Sequence, residues 1–107
     1  MLGHLIDSAT NNHHRFVRAQ FEDMPLITYN ADDWVGATRY QMMTTRHLMY
    51  FWQMYNLHIL ELIRRMPEEI MDRECYTGDK EPHTLEWIFD DYVVHLEHHL
   101  GEMVEYE

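Results

Sequence analysis

Residues 44–66, TTRHLMYFWQMYNLHILELIRRM, decide the fold. The stretch contains no glycine or proline before Pro67, which favours one long helix capped by Thr44 or Thr45. At a helical step of about 100° per residue, its apolar side chains cover about half of the circumference. They are Leu48, Phe51, Trp52, Tyr55, Ile59, Leu62 and Ile63, with Met49 and Leu60 at the edge. Such a wide arc needs more cover than two neighbouring helices normally provide.

Two further stretches have the same periodicity. The first predicted helix covers roughly residues 2–21, with an apolar side of Leu2, Leu5, Ile6, Ala9, Phe16 and Val17. A polar stripe lies opposite, made of His4, Ser8, Asn11 and Arg15. The last predicted helix is capped by Thr84 and continues nearly to Glu107. Its core-facing arc consists of Leu85, Ile88, Phe89, Tyr92, Leu96 and Met103.

The connections between these helices are long and polar. Residues 22–43 contain Pro25 and the segment NADDW, in which Asn30 or Asp32 is expected to cap a short helix around Trp34. Residues 67–83 contain two prolines and a glycine and are predicted to form a loop. No alternating strand pattern occurs. The sequence therefore predicts one all-α domain over residues 1–107, an up-and-down bundle of three long helices with a short helix in the first connection.

Composition excludes several classes of function. The net charge of −11 would repel phosphate backbones, which argues against a nucleic-acid partner. No apolar run approaches the length of a membrane span, the helices carry acidic polar faces, and the first residues do not resemble a signal peptide. Cys75 is the one cysteine and lies among polar residues, so we expect it to be exposed. A soluble, cytoplasmic protein that does not bind membranes is predicted.

Nine histidines raise the question of metal binding. Near the chain's end, His95 and His99 lie about 40° apart at the edge of the core-facing arc, whereas His98 falls on the solvated side. Imidazoles at i and i+4 can reach one divalent ion, although a hydrogen-bonded structural pair is the alternative interpretation. A third ligand from another helix would be needed, and spacing alone does not choose it. The candidates are His4, His13, His14, His47, His58 and His83.

Four phrases together resemble the DinB-like (YfiT-like) family of metal-binding four-helix bundles. They are LGHLIDSATNNHHRFVRAQ, YNADDWV, FWQMYNLHILELIRRMPEE and TLEWIFDDYVVHLEHHLGE. The resemblance implies that His4, His95 and His99 hold a divalent metal ion, zinc or nickel, and that His98 is not a ligand. Leu100 and Glu102 depart from the family, in which many members carry arginine and glutamine. Family members begin with a helix before the GHLIDS segment, and we expect the bundle of this chain to lack it.

The resemblance also implies a chemistry. Relatives include thiol-dependent S-transferases and isomerases that use bacillithiol or mycothiol, and others are described as metal-dependent hydrolases. An enzyme of either kind, acting on a low-molecular-weight thiol or another small molecule, is therefore expected. Asp7, Asp91, Glu102 and Asn56 are candidates to orient the site, with a solvated or capped polar residue as the alternative interpretation of each. The alternative is a bundle without turnover that serves as an interaction or stress-response module. Without the family's first helix, part of the wide apolar arc would be exposed, which predicts a homodimer.

Overall fold

The computed structural model describes the backbone of residues 2–105 and the side chains of residues 2–98. Its four helices are α1 (Leu2–Arg18), α2 (Ala31–Thr38), α3 (Thr45–Arg64) and α4 (Leu85–Glu105). Two 3₁₀ turns, Tyr40–Met42 and Glu68–Asp72, and two short strands, β1 (Glu74–Cys75) and β2 (His83–Thr84), lie in the connections. The predicted all-α bundle with three long helices and one short one is confirmed.

Three helices begin at side-chain caps that the sequence predicts. Thr44 accepts a hydrogen bond from the amide of His47, and Thr84 accepts one from the amide of Trp87. Asn30, rather than Asp32, caps α2. Each cap satisfies a backbone donor that the first helical turn leaves without a partner, which fixes where the chain enters the helix.

The first helix ends earlier than predicted, at Arg18 instead of residue 21. The guanidinium of Arg73 explains the difference. Its Nε donates to the carbonyl oxygen of Ala19 at 2.7 Å, and its Nη2 donates to that of Glu22 at 3.1 Å. These carbonyls follow the last helical turn, where a cation is favourable, so the second connection terminates α1 from a distance of more than fifty residues along the chain.

The core lies where α1, α3 and α4 meet. Its buried apolar side chains include Ala9 and Phe16 of α1, Ile59 of α3, and Leu85, Ile88 and Tyr92 of α4. Phe16 contacts the rings of Phe89 and Tyr92 edge-on, at centroid distances of 6.4 and 6.3 Å. All six buried residues lie on the arcs that the helical periodicity predicts, so these helix faces were assigned correctly.

The expectation that Cys75 is exposed is wrong, because its side chain is fully buried. The cysteine lies in β1, opposite His83 of β2, in an antiparallel pair that the predicted loop over residues 67–83 did not include. The next residue, Tyr76, exchanges backbone hydrogen bonds with the first connection, accepting from Ile27 and donating to Pro25, both at 2.9 Å. The two connections are thus hydrogen-bonded to each other, and Cys75 lies buried in the core next to this contact. Burial raises the pKa of its thiol.

Part of the wide apolar arc of α3 is exposed, as the sequence predicts. Met49, Phe51 and Leu60 belong to that arc and are each more than one-third exposed. Two of them, with exposed side chains outside the arc, form a surface that we call the α3 stripe. It consists of Met49, Tyr50, Met54, Leu57 and Leu60. No helix within residues 2–105 is long and apolar enough to cross a membrane.

Candidate metal centre

A cavity of about 330 Å³ lies between α1 and α4 and contains two of the predicted ligands. We call it the histidine cavity; its lining residues are His4, Leu5, Ser8, Tyr29, Tyr92, His95 and Leu96. His4 comes from the first turn of α1 and His95 from the middle of α4. The fold therefore brings together two imidazoles that are ninety-one positions apart in the sequence.

His95 lies at the mouth of this cavity and not in the core. Its side chain is 64% exposed, which corrects the expectation that it points inward. Its Nε2 lies 3.5 Å from Oδ1 of Asp91, one helical turn earlier. Asp91 therefore lies close enough to influence the orientation of the ring, which is the role that the sequence suggested for it.

His4 is exposed and lies one turn before Ser8 on the same side of α1. The polar stripe to which both were assigned is partly buried farther along the helix. Asn11 donates to the carbonyl oxygen of Asp7 at 2.9 Å, and the Nε of Arg15 donates to that of Ile27 at 3.0 Å. The far end of the stripe therefore stabilises the fold, and only its first turns, with His4 and Ser8, face the cavity.

The third predicted ligand, His99, belongs to α4, but its side chain lies outside the described part of the structure, as does the side chain of Glu102. The i, i+4 relation between His95 and His99 remains a prediction from helical spacing. Among the side chains of residues 2–98, no three His, Cys, Asp or Glu residues form a group that could hold a metal ion. His98 is exposed, as predicted.

The inner wall of the cavity is formed by two tyrosines. The hydroxyl of Tyr92 donates to Oδ1 of Asn56 at 2.5 Å, and Nδ2 of Asn56 donates to the carbonyl oxygen of Trp52 at 2.8 Å. Burial raises the pKa of Tyr92 well above its usual value, so this phenol stays protonated. Asn56, which the sequence suggested as a cavity residue, is not among its lining residues and acts instead by holding Tyr92.

Tyr29 was not predicted as a site residue. It lies in the first connection, immediately before Asn30, the cap of α2, and no periodicity marks such a position. Burial raises the pKa of its hydroxyl, which is hydrogen-bonded to Ser8. At neutral pH Tyr29 is therefore a phenol on the cavity wall, beside Ser8.

The remaining histidines have other partners. Nδ1 of His13 lies 2.7 Å from the hydroxyl of Tyr55, and the His13 ring meets that of His58 edge-on. His47 stacks on Phe51. His83 contacts Asp79 and Trp87 through Nε2 and its ring face, and His14 is exposed near His13. None of these five lines the histidine cavity, so among the six candidates only His4 does.

The two described imidazoles fit a divalent metal ion in donor type and access. Neutral imidazole nitrogen is a common ligand of zinc and nickel, and both rings border a cavity open to solvent. Two apolar residues, Leu5 and Leu96, line the same cavity and restrict water around it. A small molecule that enters this cavity can therefore reach both imidazoles.

Comparison with solved structures identifies a protein of the same fold. The structure of YfiT from Bacillus subtilis, described as a probable metal-dependent hydrolase with an unusual four-helix bundle topology, matches with a TM-score of 0.86 and 27% sequence identity. The match covers 97% of this chain and 61% of the YfiT chain, so the chain spans about three fifths of that protein's length. No family model and no curated protein matches the sequence. The chain has the YfiT four-helix-bundle fold, and the resemblance to the DinB-like (YfiT-like) family is confirmed.

Proposed function

We propose that this chain is a divalent-metal-dependent enzyme of the hydrolase type, whose metal ion, zinc or nickel, is held by His4, His95 and His99. The observation that carries the proposal is the shared cavity of His4 and His95, which α1 and α4 supply from opposite parts of the chain. The structural likeness to a protein described as a probable metal-dependent hydrolase agrees with it.

The chain's own residues divide the work at this site. His4 and His95 would bind the metal ion, and Asp91 would orient the ring of His95. Tyr29 carries a protonated hydroxyl on the cavity wall, which can donate a hydrogen bond to a carbonyl or phosphoryl oxygen of a substrate. When bound, a divalent ion with neutral ligands supplies Lewis acidity, which makes a water molecule or a thiol beside it more acidic.

The same chemistry extends to thiols, so the narrower form of the proposal is thiol S-transfer with bacillithiol, mycothiol or a similar low-molecular-weight thiol. A cavity of about 330 Å³ accommodates a small molecule of this kind. The competing hypothesis is a bundle that binds metal without turnover. The two differ in whether a metal-loaded protein consumes any substrate, and not in whether it binds the metal.

Metal analysis of protein purified without a histidine tag tests the site. We expect about one equivalent of metal per chain and its loss in His95→Ala, because removal of one of three ligands typically abolishes retention through purification. His98→Ala is the matched control, since it removes an exposed imidazole from the same helix and should leave the metal in place. Metal retained after replacement of both His95 and His99 would contradict the assignment.

Activity is then measured on the loaded protein. Hydrolysis of activated ester and amide substrates is compared with conjugation of bacillithiol, mycothiol and glutathione. Turnover that disappears in His95→Ala and persists in His98→Ala supports an enzyme, and the favoured substrate class separates hydrolysis from S-transfer. Full metal loading with no turnover in either assay supports the competing hypothesis of a bundle that binds metal without catalysing a reaction.

We also propose that the protein forms a homodimer in which the partner covers the α3 stripe. Met54 and Leu57, at its centre, are 64% and 57% exposed. Exposed apolar side chains grouped on one helix are unfavourable in water and typical of an interface. Equilibrium sedimentation should give a dimer that Met54→Glu converts to monomer. Leu26→Glu, an equally exposed apolar side chain in the first connection, serves as the control and should not dissociate it.

A further inference from the structure

A second cavity of about 330 Å³ opens on the other side of α1, among α1, α2 and α3. We call it the Asp7 cavity, after the acidic residue that lines it. Residues 4, 5 and 8 of α1 face the histidine cavity, whereas residues 6, 7 and 10 face this one. At about 100° per residue the two sets lie on largely opposite sides of the helix, so the cavities are separate.

Asp7 is the unusual residue of this cavity. The side chain is 1% exposed, and its Oδ1 accepts a hydrogen bond from the hydroxyl of Tyr40 at 2.5 Å. Its Oδ2 is buried and has no hydrogen-bond partner among the described residues. A buried carboxylate oxygen without a donor costs free energy, and such groups in folded proteins normally receive a hydrogen bond.

The nearest hydroxyl groups are already engaged. The hydroxyl of Tyr40 gives its one proton to Oδ1 of Asp7, and the hydroxyl of Thr10 donates to the carbonyl oxygen of Ile6. Burial, with the Asp7 contact, raises the pKa of Tyr40 to about 12, so its proton stays in place. Burial also raises the pKa of Asp7, and a donor that enters the cavity would stabilise the charged form of this carboxyl group.

The wall also contains four aromatic rings. Trp34, Tyr40 and Phe51 line the cavity together with the ring of His47, which stacks on Phe51. Aromatic faces attract cations, and a carboxylate beside them adds a charged hydrogen bond. The chain's net charge of −11 also favours cationic over anionic ligands.

We propose that the Asp7 cavity binds a small organic ammonium ion, whose N–H group donates to Oδ2 of Asp7 and whose apolar body packs against Trp34, Tyr40 and Phe51. The cavity volume is at the lower end of the range for small-molecule sites, which limits the ligand to about the size of an arylalkylamine. The site does not depend on the proposed metal centre.

Calorimetric titration of the whole protein with benzylamine, benzyl alcohol and benzoate tests this. Benzylamine should bind saturably, and benzyl alcohol should bind about tenfold to hundredfold more weakly, since it lacks the charge-assisted hydrogen bond. Asp7→Asn should weaken benzylamine binding by a similar factor. Asp32→Asn, which removes an exposed carboxylate nearby on α2, should not. His95→Ala should bind benzylamine as the wild type does.

The difference in affinity between benzylamine and benzyl alcohol for the wild-type protein tests the proposal even if Asp7→Asn fails to fold. Equal affinity for amine and alcohol, an unchanged affinity in folded Asp7→Asn, or no saturable binding would each overturn the proposal. The indole N–H resonance of Trp34 provides a second measurement and should shift as benzylamine is added. A shift that follows protein concentration instead would mean that a second copy occupies the cavity, and the proposal would be wrong.

Discussion

Replacing Gly3 with alanine should destabilise the protein, although alanine is the better helix former. A Cβ atom at residue 3 would lie 2.5 Å from Cδ2 of Tyr40 and 3.0 Å from two further atoms of that ring. Carbon atoms do not approach so closely, so the ring must move. Because the Tyr40 hydroxyl is bonded to the buried Asp7, the ring cannot move without loss of that hydrogen bond.

The expected cost combines three contributions. Forced repacking costs about 1–3 kcal/mol, and loss of the hydrogen bond to Asp7 adds about 1 kcal/mol. The higher helix propensity of alanine offsets about 0.5–1 kcal/mol of this cost. The free energy of unfolding should therefore fall by about 1–3 kcal/mol. Gly36→Ala is the matched control in α2, where an added Cβ meets nothing within 4 Å, and it should raise the free energy of unfolding by about 0.5–1 kcal/mol.

Urea unfolding followed by circular dichroism measures both changes. With a slope of about 1–3 kcal/mol per molar, the midpoint should fall by about 1 M in Gly3→Ala and rise by a few tenths in Gly36→Ala. In a Tyr40→Ala background the ring is gone, so Gly3→Ala should no longer destabilise. A loss of stability of the same size in both backgrounds would refute the proposed clash.

Three further outcomes follow from the packing. Burial, followed by the charges of two neighbouring histidines, lowers the pKa of His13 from 6.5, so the unfolded chain takes up a proton that the folded state resists. Stability should thus be full above about pH 6.5 and decline as the pH falls below it; urea midpoints at about pH 7 and pH 5 should show a smaller decline in His13→Gln than in the wild-type protein. Phe16→Ala should lower the free energy of unfolding by about 3–5 kcal/mol, as measured by urea unfolding, because a fully buried ring leaves a cavity. Thr84→Ala removes the cap of α4 and should cost about 1 kcal/mol in the same assay.

The helices could be predicted because their signals are local. A cap such as Thr44, an uninterrupted apolar period and a terminal Pro67 all act within a few residues of the helix that they define. The connections could not be predicted in the same way. The burial of Cys75 and the early end of α1 depend on hydrogen bonds between segments about fifty residues apart, namely those of Tyr76 and Arg73. No short-range pattern encodes such pairings.

In the candidate site, too, the residues on helices could be predicted and the residue on a connection could not. Helical spacing separated His95 from His98, and His95 does line the cavity, although it is exposed and does not point inward as expected. The choice of His4 rested on the family resemblance; His4 lines the same cavity, and its role as a ligand stays a prediction. Tyr29 was missed because it enters the cavity from a connection, where neither period nor spacing marks a side chain that faces inward.

Helix α1, and not the more hydrophobic α3, organises the chemistry of this bundle. The sequence drew attention to α3 through its wide apolar arc, yet α3 contributes only His47, Leu48 and Phe51 to the Asp7 cavity and no residue to the histidine cavity. Helix α1 presents His4 and Ser8 to one cavity and Asp7 and Thr10 to the other. Its first three turns can carry both sets because Ala9 and Phe16 anchor the helix in the core, which leaves two flanks for polar side chains. A buried helix with two polar flanks thus separates a cavity lined by imidazoles from one lined by a carboxylate.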